Sequence, residues 1–141
     1  MNYESALKIL KEKGYLLSTP RLVILKYVLE NRTHHTAESV YEAIKKEFPT
    51  ISLATVYNTL KILAKEGIVV QINISENKLY YDSNTHDHAH FLCIKCGKIE
   101  DIDFSCEPAS SIKKYDGNEI HYHHIYFYGI CRDCLEKESQ S

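Results

Sequence analysis

The sequence predicts an α+β chain of two domains, a winged helix-turn-helix over residues 1–83 and a small mixed α/β domain over residues 84–141. Three observations carry this reading. Residues 3–65 hold four amphipathic stretches of helical spacing, bounded by capping residues, glycine or proline. Two short alternating runs follow, on either side of Ser75-Glu76-Asn77. Beyond them, Cys93-Ile-Lys-Cys96 and Cys131-Arg-Asp-Cys134 enclose most of a C-terminal part of about 60 residues, a size that usually needs a metal or a partner to hold its fold.

In chain order, residues 3–13 place Ala6, Leu7, Ile9 and Leu10 on one helical face, and Gly14 closes the stretch. Thr19-Pro20 reads as an N-cap with proline at the first helical position. Leu22, Ile24, Leu25, Val28 and Leu29 then form the stripe of a second helix that ends near Asn31. Thr36 caps a third, residues 37–47, with Val40, Tyr41 and Ile44 inward, and Phe48-Pro49-Thr50 breaks it. Ser52 caps a fourth, residues 53–65, with core positions Val56, Leu60 and Leu63, and Gly67 ends it. Residues 68–74 and 78–82 suit a two-stranded wing.

Two helices joined by a short turn make a helix-turn-helix, in which the second would enter the major groove. Its outward side shows Ser52, Thr55, Tyr57, Asn58 and Lys61. These are hydrogen-bonding and phosphate-binding types, with an aromatic able to touch thymine methyls. A helical domain with a solvated polar face accounts for any single helix. The order of three helices, recognition helix and hairpin favours double-stranded DNA as the partner. Net charge is −2, which alone argues weakly against nucleic acid, but it divides unevenly. Residues 1–85 carry 11 Lys+Arg against 9 Asp+Glu, and residues 86–141 carry 6 against 10. The first part can meet phosphates if its cations cluster; the second should not.

Four thiolates in two Cys-x-x-Cys turns supply what tetrahedral Zn²⁺ needs, with no open position, so Cys93, Cys96, Cys131 and Cys134 are read as a structural zinc site. Disulfides would need export, and Met1-Asn2-Tyr3-Glu4 opens no signal peptide. A redox Cys-x-x-Cys competes less well with a duplicated pair. A cytoplasmic protein is expected, with no membrane partner, since apolar runs such as Ile68-Val69-Val70 are far too short to span a bilayer.

Eight histidines cluster at His34-His35, His86-Asp87-His88-Ala89-His90 and His121-Tyr122-His123-His124. If residues 88–92 begin a strand, His88 and His90 share a face and both imidazoles reach one ion. Asp82 lies just upstream and Asp101 on the next expected strand, residues 98–102. A mixed histidine and carboxylate shell suits Fe²⁺, Mn²⁺, Co²⁺ or Zn²⁺ rather than Ca²⁺ or Mg²⁺. His86, His121 and His124 read as solvated side chains, and spacing alone does not assign His34. Cys106, outside the quartet, reads as a small buried hydrophobe.

Together these segments resemble the ferric uptake regulator family along nearly the whole chain. The matching stretches are Thr19-Pro20-Arg21, residues 34–41 (His-His-Thr-Ala-Glu-Ser-Val-Tyr), residues 54–60 (Ala-Thr-Val-Tyr-Asn-Thr-Leu), residues 88–98 (His-Ala-His-Phe-Leu-Cys-Ile-Lys-Cys-Gly-Lys) and residues 128–131 (Tyr-Gly-Ile-Cys). The resemblance implies a homodimer of winged-helix domains on an α/β dimerisation domain, switched by metal to a form that binds operator DNA and represses transcription. It also implies a regulatory Fe²⁺ or Mn²⁺ site of His34, Asp82, His88, His90 and Asp101, joining both domains through one ion.

Within the family the resemblance leans to the peroxide-sensing branch. Asp101 stands where iron sensors commonly carry glutamate, and Asn58 where they commonly carry arginine. Asp87 and Ala89 stand where they often place His and Asp of an additional site, of which His123 alone remains. That branch implies that iron-bound protein reacts with H₂O₂, that His34 or His88 is oxidised, and that metal and DNA are then released. Leu16 departs from the pattern, standing where relatives carry a basic residue that reaches the minor groove. An iron- or zinc-uptake regulator of the same family is the alternative. From another class, His88, His90 and Asp101 could form a small non-haem metal enzyme, although five protein ligands leave little room for turnover and no organic-substrate pocket is legible. A zinc-stabilised interaction module without DNA binding is the third reading.

Overall fold

A computed structural model describes residues 1–76, 78–84 and 88–139, so that Asn77 of the expected wing turn, His86 and Asp87 lie outside the described residues. The chain divides into two units, Met1–Thr85 and His86–Ser141.

In the first unit the helices begin where local side chains satisfy their free N–H groups. Helix α1 (Tyr3–Glu12) starts at Asn2, whose side chain accepts the Ser5 N–H, a cap not anticipated from the residues. Gly14 follows α1 at φ +82°. Helix α2 (Thr19–Glu30) corrects one expectation: Ser18 is the N-cap, and Thr19 is already helical. Ser18 makes no side-chain cap bond, and Pro20 lies in the first turn, where its missing N–H costs nothing. Strand β1 (His34–His35) was not expected, being too short to show a period. Helix α3 (Ala37–Ile44) opens in a reciprocal capping box between Thr36 and Ser39. It ends three residues before the expected position, where the Glu47 and Phe48 N–H groups both donate to the Ile44 carbonyl and Pro49 follows. Helix α4 (Leu53–Lys65) starts from Ser52, whose hydroxyl accepts the Thr55 N–H.

The expected core positions Ala6, Leu10, Ile24, Leu25, Val28, Leu29, Val40, Ile44, Val56, Leu60 and Leu63 join one buried cluster, Leu7 and Tyr41 are partly buried against it, and Ile9 and Leu22, expected on the same faces, are partly buried outside it. The wing is shorter than its alternation suggested. Strand β2 (Val70–Ile72) and strand β3 (Tyr80–Asp82) pair antiparallel, and β1 adds to the other edge of β3. The order β1-β3-β2 sets His34 opposite Asp82.

The second unit is built on strand β4 (Ala89–Cys93), antiparallel to strand β5 (Ile99–Ile102). A short helix α5 (Glu107–Ser110) and a hairpin of β6 (Lys114–Tyr115) and β7 (Asn118–Glu119) follow. The hairpin turns through Asp116 and Gly117, both at positive φ, as a tight two-residue turn of this hand requires. Strand β8 (Tyr126–Gly129) then runs parallel to β4, giving the order β5-β4-β8, and helix α6 (Arg132–Ser139) ends the described chain. The winged helix-turn-helix and the mixed second unit are those the sequence predicts. Among the described residues no helix is long and apolar enough to cross a membrane.

Candidate metal centres and nucleic-acid helix

The four cysteines of the paired motifs come together within the second unit. Cys93 ends β4, Cys96 closes the turn after it, Cys131 follows β8, and Cys134 lies on the first turn of α6. The turn is shaped by Gly97 at φ +79°, whose N–H donates to the Cys93 carbonyl. Sγ of Cys93 is 3.8 Å from that of Cys134, as is Sγ of Cys96 from that of Cys131, and all four lie within 4.8 Å of one another. A disulfide would close two sulfurs to about 2.05 Å. A tetrahedron of thiolates about 2.3 Å from a central ion has edges of about 3.8 Å, so the donor set fits Zn²⁺. Backbone N–H groups of Cys96 and Cys131 donate to the Cys93 sulfur, at 3.5 and 3.3 Å, and these bonds pull its thiol down to about 6. The Cys134 thiol, bonded to the Cys131 sulfur and partly desolvated, is pushed up to about 12. The Cys93 corner is thus prepared as thiolate, and the Cys134 corner must release its proton to solvent when a metal binds.

Helix α6 has no buried residue among those described. Apart from Cys134, ion pairs hold it: Lys95 with Glu138, Lys98 with Asp133 at 3.7 Å and Arg132 with Glu100 at 3.5 Å. Exposed pairs of this kind are weak. The thiol cluster is therefore the main anchor of this helix.

The histidines and aspartates form one group in each unit. In the first, the β1–β3 register sets His34 against Asp82, with Nε2 3.7 Å from Oδ2 and the carboxylate almost wholly buried. The Asn84 N–H donates to the other Asp82 oxygen at 2.8 Å. Neighbouring His35 points the opposite way, as strand alternation demands, and its Nε2 is 2.5 Å from the Asn31 carbonyl. His35 therefore belongs to the core.

In the second unit, His88 and His90 do share a face, their rings 4.5 Å apart. Both reach one oxygen of Asp101, His88 Nε2 at 3.3 Å and His90 Nε2 at 3.4 Å. His121 is exposed and 3.2 Å from Glu119, while His124 stacks on Tyr126. Cys106 is half-buried at the start of α5 rather than fully enclosed.

On α4, Tyr57, Asn58 and Lys61 are exposed, as the helical spacing implied. Two details were not legible. The Ser52 and Thr55 hydroxyls are hydrogen-bonded to each other at 2.8 Å and serve the helix cap. The Tyr57 hydroxyl donates to the Glu38 carboxylate of α3, which holds the Glu38 carboxyl below its ordinary range and the Tyr57 phenol above its own. Leu16 is 77% exposed in the loop before α2, where its carbonyl accepts from Arg21.

Residues 12–128 match the sequence model of the Ferric uptake regulator family. The chain is 33% identical over 138 residues to the peroxide-responsive repressor PerR of Staphylococcus aureus (strain USA300), covering 95% of this chain and 92% of that protein. Among solved structures, PerR from Streptococcus pyogenes is 36% identical, covers 94% of this chain and 92% of its own, and has a TM-score of 0.55. The ferric uptake regulator Fur of Helicobacter pylori is alike in fold, with a TM-score of 0.76 over 96% of this chain and 95% of its own at 23% identity. With a family match over most of its length and a relative of this similarity, the chain belongs to the ferric uptake regulator family.

Proposed function

We propose that this chain is a cytoplasmic, homodimeric repressor that binds double-stranded operator DNA in its metal-loaded form and is released by peroxide. The observation that carries the reading is a donor set divided between the units. His34 and Asp82 offer two ligands, and His88, His90 and Asp101 offer three. Neither group alone completes an ordinary shell for Fe²⁺ or Mn²⁺, whereas three imidazoles and two carboxylates together suit either ion. Binding that uses both groups has a differential affinity for one arrangement of the two domains, which is what a ligand needs to shift a conformational equilibrium.

In this reading residues 1–83 are the DNA-binding domain and residues 84–141 the dimerisation domain. Cys93, Cys96, Cys131 and Cys134 hold a structural Zn²⁺, and α4 presents Tyr57, Asn58 and Lys61 to the major groove, with Ser52 and Thr55 at its N-terminus. Exposed Phe104, Phe127, Tyr128 and Leu135 on the second unit support self-association. Regulation, rather than catalytic turnover, is the role of the family's members.

Bound ferrous iron would supply the one chemistry these side chains lack, the reduction of hydrogen peroxide. His34 and His88 are the ligands we assign as targets, because an imidazole that gains oxygen is a changed donor and loosens the shell. Mass spectrometry of the Fe²⁺-loaded and Mn²⁺-loaded protein after H₂O₂ tests this. One added oxygen on His34 or His88 with iron alone supports the peroxide reading. Metal-dependent DNA binding with no added oxygen would make the chain an iron- or zinc-uptake regulator instead. Turnover of an organic substrate without DNA binding would mark a metal enzyme.

A further inference from the structure

We propose that Glu38 is a positioning residue for base reading. By accepting the Tyr57 hydroxyl hydrogen bond, it commits the donor of that side chain and leaves the ring to recognise thymine methyl groups. The inference rests on α4 being the DNA-reading helix, as proposed above.

Both ends of this contact are rigidly held. Glu38 lies in the first turn of α3, whose start is fixed by the Thr36–Ser39 capping box. Tyr57 lies in the second turn of α4, whose start is fixed by Ser52 and Thr55. Between them α3 and α4 pack through Val40 and Ile44 and through Val56 and Leu60, all buried. The Tyr57 side chain itself is 42% exposed on the outward face of α4, where packing alone would leave it several rotamers. A charge-assisted hydrogen bond to a fixed carboxylate removes that freedom.

It also changes what the side chain can read. An untethered phenol can donate to guanine N7 or O6, or to thymine O4, and so discriminates poorly. A phenol whose hydrogen already points at Glu38 has no donor left for a base acceptor, and the apolar ring carbon it presents matches the thymine C5-methyl. A carboxylate beside the groove also disfavours approach of a phosphate in its place, so Glu38 narrows the choice twice.

The test uses the full-length, Mn²⁺-loaded protein and a duplex that it selects from a random-sequence pool. Each thymine in the selected site is replaced in turn by uracil, which removes one methyl and keeps the pairing. The parent should bind about fourfold more weakly at one or two uracil positions, the worth of one buried methyl. Glu38→Gln, whose amide oxygen still accepts from the phenol, should keep that penalty. Glu38→Ala and Tyr57→Phe should each reduce it to less than twofold, and the double variant should lose no more than either alone. Full discrimination in Glu38→Ala would overturn the proposal, as would equal loss in Glu38→Gln and Glu38→Ala, or a parent indifferent to every methyl. A parent that selects no duplex at all would instead overturn the assignment of α4 as the reading helix, and this proposal with it.

Discussion

His90 on β4 and Asp101 on β5 are register partners, and His90 Nε2 lies 3.4 Å from the carboxylate oxygen that also stands 3.3 Å from His88 Nε2. One oxygen thus collects two imidazoles. Their convergence is a product of strand geometry: period-two alternation puts His88 and His90 on one face, and antiparallel pairing brings Asp101 to the same place.

Asp101→Ala should therefore weaken Mn²⁺ binding by roughly 10- to 100-fold or more, since removing even an outer-shell partner of a ligand typically costs that much. Its zinc content should stay at one per chain, because the thiol cluster is built from other residues. Calorimetric titration with Mn²⁺, beside elemental analysis for zinc, checks both. Unchanged Mn²⁺ affinity would remove Asp101 from the site.

Much of the first unit was legible, because its signals are local. Thr36, Ser52, Gly14 and the apolar stripes act within a few residues, and the helices capped by Thr36 and Ser52 begin where they were expected. Thr19 misled because Ser18 and Thr19 are both good caps, and only the backbone decides between them. Pairing was not legible. Nothing in His34-His35 says which ring faces Asp82 until β1 joins β3, and the parallel match of β4 with β8 links segments more than 30 residues apart. The β6–β7 hairpin does carry a local signal, Asp116-Gly117, a pair suited to a tight two-residue turn. Likewise, the Tyr57–Glu38 contact spans two helices whose relative placement comes from packing, so no spacing rule reveals it.

Zinc uptake by the metal-free protein should release protons and weaken as pH falls. The Cys93 thiol, lowered to about 6, is already thiolate at neutral pH and contributes little to that release, whereas Cys134, raised to about 12, contributes nearly a whole proton. Competition with a chromophoric chelator between pH 8 and pH 6, on the order of the neutral range where such sites are measured, should show affinity declining steadily. A pH-independent affinity would contradict thiolate ligation. Cys96→Ser, which opens one corner of the tetrahedron, should lose zinc and free α6, seen as loss of helicity and faster proteolysis of the C-terminal segment.

Lys61 and Asn58 share the exposed face of α4 but should fail differently. With α4 as the proposed reading helix, Lys61→Ala would remove a phosphate contact, so binding to all duplexes should weaken and the log-log salt slope should fall by about one. Asn58→Ala would, in the same proposal, remove a base contact, so it should cost about 1–3 kcal/mol on the preferred site and little on random DNA. Fluorescence anisotropy over a range of salt separates the two. Equal losses on every sequence in both variants would take Asn58 out of base reading.

His35 should make the first unit acid-sensitive. Burial holds its imidazole below the usual 6.5, while the Asn31 carbonyl partly opposes that shift. Below 6.5 the unfolded chain binds a proton that the folded chain resists, so the stability His35 contributes is present above that pH and declines as pH falls below it. Melting temperature measured across that range should drop less steeply in His35→Gln than in the parent. An identical slope in the two would assign the acid sensitivity to other groups.

If the regulatory site is as proposed, His34 should control how strongly metal and DNA communicate. It contributes from the β1 strand of the first unit, and Asp82 beside it is almost wholly buried, so His34 is the more exposed of the two ligands on that side. His34→Ala should keep its zinc, its fold and its dimer, and should retain weakened Mn²⁺ binding through Asp82, His88, His90 and Asp101. Operator affinity, however, should rise much less when Mn²⁺ is added, because Asp82 alone then ties the first unit to the ion and most of the differential affinity for the DNA-binding arrangement is lost. Linkage makes the converse measurable: operator DNA should tighten Mn²⁺ binding in the parent and do so much less in the variant. His35 cannot take over, since its Nε2 faces the Asn31 carbonyl within the core. A His34→Ala protein whose DNA binding still responded fully to Mn²⁺ would show that the ion acts without the first unit's histidine, and the switch would then have to run through Asp82 or lie within the second unit.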